Sequence, residues 1–159
     1  MPLETAPVAR AKMLIRRPAA EVYEAFVDPA VTTKFWFTRS SGRLEAGRDV
    51  RWEWEMYGVS TQVHVQELER DRRILIEWSG YTEPCPVEWR FTPRADGTTM
   101  VLISNWGFVG SDDEVVQQAL DSTGGFHLVL AGLKAMLEHG VALNLVADHD
   151  PDAHAEPGE

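Results

Sequence analysis

One stretch constrains the fold of this chain more than any other: DSTGGFHLVLAGLKAMLEHG, residues 121–140. It opens with a cap-and-glycine signal, runs apolar for three turns and stops at a glycine, and nothing like it occurs elsewhere in the chain. Projected at about 100° per residue, Phe126, Leu130, Leu133 and Leu137 fall in one narrow stripe, with Val129, Met136 and Gly140 beside it. His127, Lys134 and Glu138 fall on the other side. The spacing predicts an amphipathic helix, which needs a large apolar surface to lie on.

The middle of the chain supplies that surface, because the period there changes to two. In RDVRWEWEMYG (48–58), Val50, Trp52, Trp54 and Met56 alternate with Arg51, Glu53, Glu55 and Tyr57, so one strand face is apolar and the other charged. Gly58 makes a turn, and Val59, Thr61, Val63 and Val65 then share a face of the next strand. After the polar turn RDRR come ILIEWS (74–79) and PVEWRFTP (86–93), where Val87, Trp89 and Phe91 alternate with Glu88 and Arg90. Asp96-Gly97 is a hairpin signal, and TTMVLISNWGF (98–108), with Trp106, reads as the last strand. Upstream, VARAKMLIRR (8–17) reads as a first strand. Pro18 then opens a helix with Val22, Tyr23, Phe26 and Val27 at helical spacing, Asp28-Pro29 closes it, and a second short helix restarts at Pro29. The expected class is α+β. A curved antiparallel sheet of six to seven strands wraps a long C-terminal helix, with two short helices after strand 1.

A chain of 159 residues makes one domain, placed at 1–143, with an acidic and flexible tail at 144–159. A net charge of −10 argues against nucleic acid and anionic lipid as partners. Cys85 is the lone cysteine, so no internal disulfide can form. The N-terminus lacks the apolar core of a signal peptide and no window approaches a membrane span, so the expected location is the cytoplasm.

Six tryptophans stand out, and Trp52, Trp54, Trp78 and Trp89 lie in inward alternation sets. Aromatic walls are the usual lining of small-molecule sites, yet such rings also simply fill a core, and both readings stay open. The predicted lining is Phe35 and Trp36 after the second helix, Trp52, Trp54, Val63, Val65, Trp78 and Trp89 on strands, and Phe126, Leu130 and Leu133 on the last helix. His64 has the opposite parity to Val63 and Val65. It is a surface residue if those valines face inward, and a polar anchor in the pocket if the parity is reversed. Cys85, between two prolines, reads as structural, and His127 as solvated. His149, Asp150, Asp152 and His154 match no strong ligand spacing, so neither a metal nor another cofactor is expected. No phosphate loop, paired-carboxylate signature or nucleophile elbow is present.

Three stretches carry a family likeness: IRRPAAEVYEAFVDPAVTTKFW (15–36), GRLEAGRDVRWEWE (42–55) and GGFHLVLAGLKAMLEHG (124–140). Together they resemble the START-like (SRPBCC) superfamily, whose helix-grip fold is that of the birch-pollen allergen. Within it, the chain resembles the C-terminal-domain family of the heat-shock-protein-90 ATPase activator. The likeness covers roughly residues 8–143. It implies a helix-grip fold, one that hosts transport, cyclisation, hydrolysis and co-chaperone roles. The activator's separate chaperone-binding domain has no counterpart here, so a co-chaperone role is not the expectation. The expected function is binding of a small hydrophobic or aromatic molecule between sheet and helix. The alternatives are a polyketide cyclase or hydrolase-like enzyme, or a protein-interaction module with a filled core. Leu128, Gly132 and Ala135 form a second flank on the last helix, suited to a sheet edge or to a homodimer contact.

Overall fold

Seven strands form one antiparallel sheet in the order β1-β7-β6-β5-β4-β3-β2. The computed structural model describes residues 3–79 and 83–152. The strands are β1 (Ala9–Ile15), β2 (Arg39–Ser40), β3 (Asp49–Trp54), β4 (Val59–Glu69), β5 (Arg73–Trp78), β6 (Cys85–Pro93) and β7 (Thr99–Asn105). The helices are α1 (Ala19–Val27), α2 (Pro29–Thr32), α3 (Asp112–His139) and α4 (Leu145–Asp148). This is the helix-grip architecture expected from the alternation and helical periods. Among the described residues, no helix is long and apolar enough to cross a membrane.

Within the strands the period-two sets point as read, but β3 stops at Trp54, Met56 falls in a 3-10 turn at 55–57, and Val59 is 49% exposed. Val50, Trp52, Val63, Val65, Ile74, Ile76, Val87, Trp89 and Phe91 are all buried, while Arg51, His64 and Arg90 are exposed. Gly58 sits at φ 64° and Gly97 at φ 82°, left-handed conformations that favour glycine at these two turns. Asp28 caps α2 by accepting a hydrogen bond from Ala30 N–H at 2.9 Å, and Pro29 follows in the first turn.

Four sequence expectations need correction. First, α3 is 28 residues long and begins at Asp112, not near Asp121. Ser111 Oγ accepts from Glu114 N–H at 3.2 Å and pairs with the Glu114 carboxylate at 3.1 Å. The S-x-x-E spacing is that of a capping box, of which the Ser111 side-chain cap on Glu114 N–H is formed, and Asp112, Asp113 and Glu114 are favoured by the positive end of the helix dipole. The glycines at 124 and 125 therefore lie inside the helix. Second, β7 ends at Asn105, so Trp106 follows the strand instead of lying on it. Third, a short β2 pairs with β3 and was not foreseen. Fourth, the segment after residue 143 is not wholly a loose tail. Leu145–Asp148 is helical, Val146 packs against the core, and the Tyr57 hydroxyl donates to the Val146 carbonyl. Residues 153–159, including His154 of the suspected metal tract, lie outside the described residues.

The last turns of α3 are clipped to β1. Lys134 Nζ donates to Leu14 O at 2.8 Å and to Glu138 Oε2 at 2.7 Å, and Glu138 Oε2 also accepts from Arg16 N–H at 2.9 Å. The polar side of the helix is thus partly a fastening, with the Glu138 side chain only 8% exposed. Burial pushes the Glu138 pKa up, but the hydrogen bonds from Lys134 and Arg16 outweigh it and hold the carboxyl below its ordinary value. A depressed folded-state pKa contributes stability that is present above the unfolded value, about 4.3, and is lost as pH falls through the folded value. Glu24, Glu88 and Asp96 are depressed too and share this acid limb. Glu138→Gln should therefore lower stability at neutral pH and make its loss on acidification shallower without abolishing it. Urea midpoints measured at neutral pH and at about pH 3 to 4 check this; an unchanged slope would remove Glu138 from the acid limb.

Candidate functional site

The centre of the molecule is filled. The Trp36 ring lies within 4.9 Å of Trp52, 5.4 Å of Phe37, 5.7 Å of Phe126 and 6.0 Å of both Trp78 and Trp89, centroid to centroid. Phe26 and Trp54 close the ring of neighbours at 6.4 and 6.1 Å. Most of these pairs are edge-on or tilted, the arrangement that aromatic quadrupoles favour. Trp52, Trp89, Val63, Val65, Leu130 and Leu133 are at most 1% exposed.

The predicted lining therefore divides. Trp36, Trp78 and Phe126 line the cavity described below. Trp52, Val63, Val65, Trp89, Leu130 and Leu133 are core, because the rings around Trp36 occupy the volume beneath the helix. Phe35 packs edge-on to Phe26 at 5.6 Å and against Gly132, where an added Cβ would meet Phe35 at 3.4 Å. Trp54 is half-buried beside Trp36 and borders a shallow outer groove. His64 takes the surface alternative: exposed, with Nδ1 2.7 Å from Asp49 Oδ1. Gly132, offered as part of a dimer flank, is buried on Phe35, and Leu128 borders the cavity.

The space itself is a half-open cavity of about 230 Å³ at one end of the core. Its walls come from the start of β4 (Val59, Ser60, Thr61), the end of β5 (Trp78, Ser79), the middle of α3 and the α4 segment (Val146, His149). From α3 come Asp121, Ser122, Gly125, Phe126, Leu128 and Val129. Gly125 leaves room there, since an added Cβ would meet no atom within 4 Å. Sequence reasoning missed Ser122, Gly125, Val146 and His149. The signal was present in the SDDE capping box at 111–114, which moves the helix start back and brings residues 121–125 over the sheet.

A buried polar chain runs behind the cavity. Ser122 Oγ donates to Asn105 Oδ1 at 2.8 Å, and Asn105 Nδ2 donates to Pro86 O at 2.9 Å and to Cys85 Sγ at 3.3 Å. Asn105 is fully buried, Ser122 is 6% exposed, and Cys85 is buried at the first position of β6. At the rim, His149 Nδ1 lies 2.7 Å from Val146 O. A carbonyl only accepts, so Nδ1 carries the proton. Below the rim, burial and then the charges of Asp150 and Asp148 raise the Tyr57 hydroxyl pKa. The Trp78 and Trp89 indole N–H groups are buried with no acceptor among the described residues. Such an orphan costs about 1–3 kcal/mol, so natural structures keep few of them. Among the described residues, no cluster of three or more His, Cys, Asp or Glu side chains could hold a metal ion.

The model of the family described as "Activator of Hsp90 ATPase homolog 1-like protein" matches residues 16–138. The chain belongs to this family. Among solved structures, the protein SSP2350 from Staphylococcus saprophyticus is 31% identical with a TM-score of 0.74, over 86% of this chain and 96% of that one. The Activator of Hsp90 ATPase homolog 1-like fold also appears in the Aha1 dimer from Colwellia psychrerythraea, 17% identical with a TM-score of 0.71, over 84% of this chain and 98% of that one. DynU16, a protein of the dynemicin biosynthetic locus, is 24% identical with a TM-score of 0.73; the match covers 85% of this chain and 48% of DynU16. The last two share the fold. No curated protein matches the chain. The family match ends before α4, so Val146 and His149 lie beyond it.

Core and cavity wall should answer differently to truncation. Leu133→Ala empties a site with no exposed surface and should cost about 2–5 kcal/mol. Leu128→Ala, on the partly exposed cavity wall, should cost less than about 1.5 kcal/mol. Urea denaturation of both variants checks the contrast; equal losses would mean that the cavity is closed in solution.

Proposed function

We propose that this protein binds a small, largely apolar aromatic molecule in the half-open cavity between β4, β5, α3 and α4. One observation carries the reading: a core otherwise packed solid leaves about 230 Å³ open at one end, against the Trp36, Trp78 and Phe126 rings. An apolar cavity of about 150 Å³ is enough to hold benzene, so this one suits one or two fused rings. A long acyl chain or a multi-ring polyketide exceeds it. The aromatic wall gives stacking surface, and the few polar groups give orientation.

A second reading, self-association, draws on a different surface. Val116 and Leu120, one turn apart on α3, are 37% and 62% exposed, and Val109 is 53% exposed. Sedimentation of the wild type and of Leu120→Lys separates the two readings, since the cavity does not depend on Leu120.

Tryptophan fluorescence tests binding, because Trp36 and Trp78 line the cavity. One- and two-ring aromatics should quench or shift emission saturably, with Kd in the tens of micromolar, about −6 kcal/mol. Gly125→Leu should fill the cavity and abolish the response. It should also hold or raise the melting temperature, since glycine within a helix costs about 0.5–1 kcal/mol relative to alanine. An undiminished response in a folded Gly125→Leu protein would place the ligand elsewhere.

A further inference from the structure

We propose that the cavity selects a neutral aromatic molecule bearing a hydroxyl, and that Ser122 is the residue that reads that hydroxyl. The inference rests on the binding reading above and adds the polarity of the ligand.

The buried polar chain sets this polarity. Asn105 has two amide protons, and both are used, on Pro86 O and Cys85 Sγ. Its amide orientation is thereby fixed, with Oδ1 turned to Ser122. An amide oxygen has no proton to give, so Ser122 must donate its only one, at 2.8 Å. What Ser122 Oγ has left is acceptor capacity. Ser122 lines the cavity, and its side chain is a single carbon and this oxygen. An occupant therefore meets lone pairs there, and satisfies them only by donating.

The rest of the lining agrees. His149 Nδ1 faces Val146 O at 2.7 Å, so the proton on that nitrogen is spent within the wall. Asp121 adds a carboxylate that accepts from Gln117 and faces the mouth. Ser60 and Ser79, able to give or take, are exposed at the outer edge. Thr61, 8% exposed, adds a hydroxyl whose proton goes to Gln62 O at 3.4 Å. A hydroxyl carries a proton that it can donate to Ser122 Oγ. An ether oxygen can only accept and leaves Ser122 unanswered. A carboxylate also has no proton to give. It finds no lysine or arginine in the lining, meets Asp121, and enters a chain of net charge −10.

Calorimetric titration of the full chain at neutral pH tests this with three probes on one ring system: 2-naphthol, 2-methoxynaphthalene and 2-naphthoate. Naphthol should bind about tenfold more tightly than its methyl ether, the worth of one buried hydrogen bond, and naphthoate more weakly still. In Ser122→Ala the naphthol-to-ether ratio should fall to about one, with the affinity for the ether nearly unchanged. If Ser122→Ala does not fold, the wild-type ratio decides alone. Equal binding of naphthol and its ether by the wild type would overturn the polarity while leaving the cavity as a binding site. Tighter binding of naphthoate would overturn it as well. A ratio that survives in folded Ser122→Ala would overturn the role of Ser122. Failure of all three probes at hundreds of micromolar would bring down the binding reading itself, and this inference with it.

Discussion

The structure depends on one packing arrangement, the Trp36 indole seated among seven other rings. It joins the end of the second short helix to β3, β5, β6 and α3 in one contact set. Large aromatic side chains each bury about 150–250 Å², so a cluster of eight dominates the apolar area that drives this fold. The same cluster determines where empty space can be. With Trp52, Trp89, Leu130 and Leu133 excluded from solvent, the sheet grips the helix over a solid centre. The cavity lies where the grip slackens, at Gly125 of α3, the start of β4 and the end of β5.

That slack end is built from polar as well as apolar parts. Asn105 on β7 is held by Pro86 and Cys85 of β6 and in turn holds Ser122 of α3, so a sheet strand sets the orientation of a helix hydroxyl. Such chains are favourable inside a protein only when every member is satisfied. Here one end of the chain, Ser122, meets the cavity. The α4 segment completes the wall, tied down by Tyr57 through the Val146 carbonyl. Residues beyond the core domain as the sequence suggests it thus contribute to the cavity wall.

Much of the fold was legible because its signals are local. Alternation in RDVRWEW and PVEWRFTP gave the inward faces, whereas the parity of His64 against Val63 and Val65 left a surface and a pocket alternative open, and the structure takes the surface one. The site was less legible. Nine of the twelve residues proposed to line it pack in the core, border an outer groove or face solvent. A period tells which way a side chain points, not whether the space it points into is already taken. The start of α3 was recoverable from the SDDE capping box, but the glycines at 124 and 125 read as a boundary. Their cost inside a helix is outweighed by the tertiary packing of Phe126, Val129 and Leu130.

By itself, the sequence determined the types and order of the main elements, most of the inward sets and the family likeness. All of these follow from backbone periodicity and turn chemistry, which act over a few residues. Tertiary structure alone decided that the aromatic centre is filled and the cavity displaced. It also decided that Asn105 controls Ser122, that Lys134 and Glu138 fasten the helix to β1, and that α4 closes a wall. Each joins residues 16 or more positions apart or turns on how bulky side chains divide a shared volume. No local pattern encodes that division, because it depends on the shapes of all the partners at once.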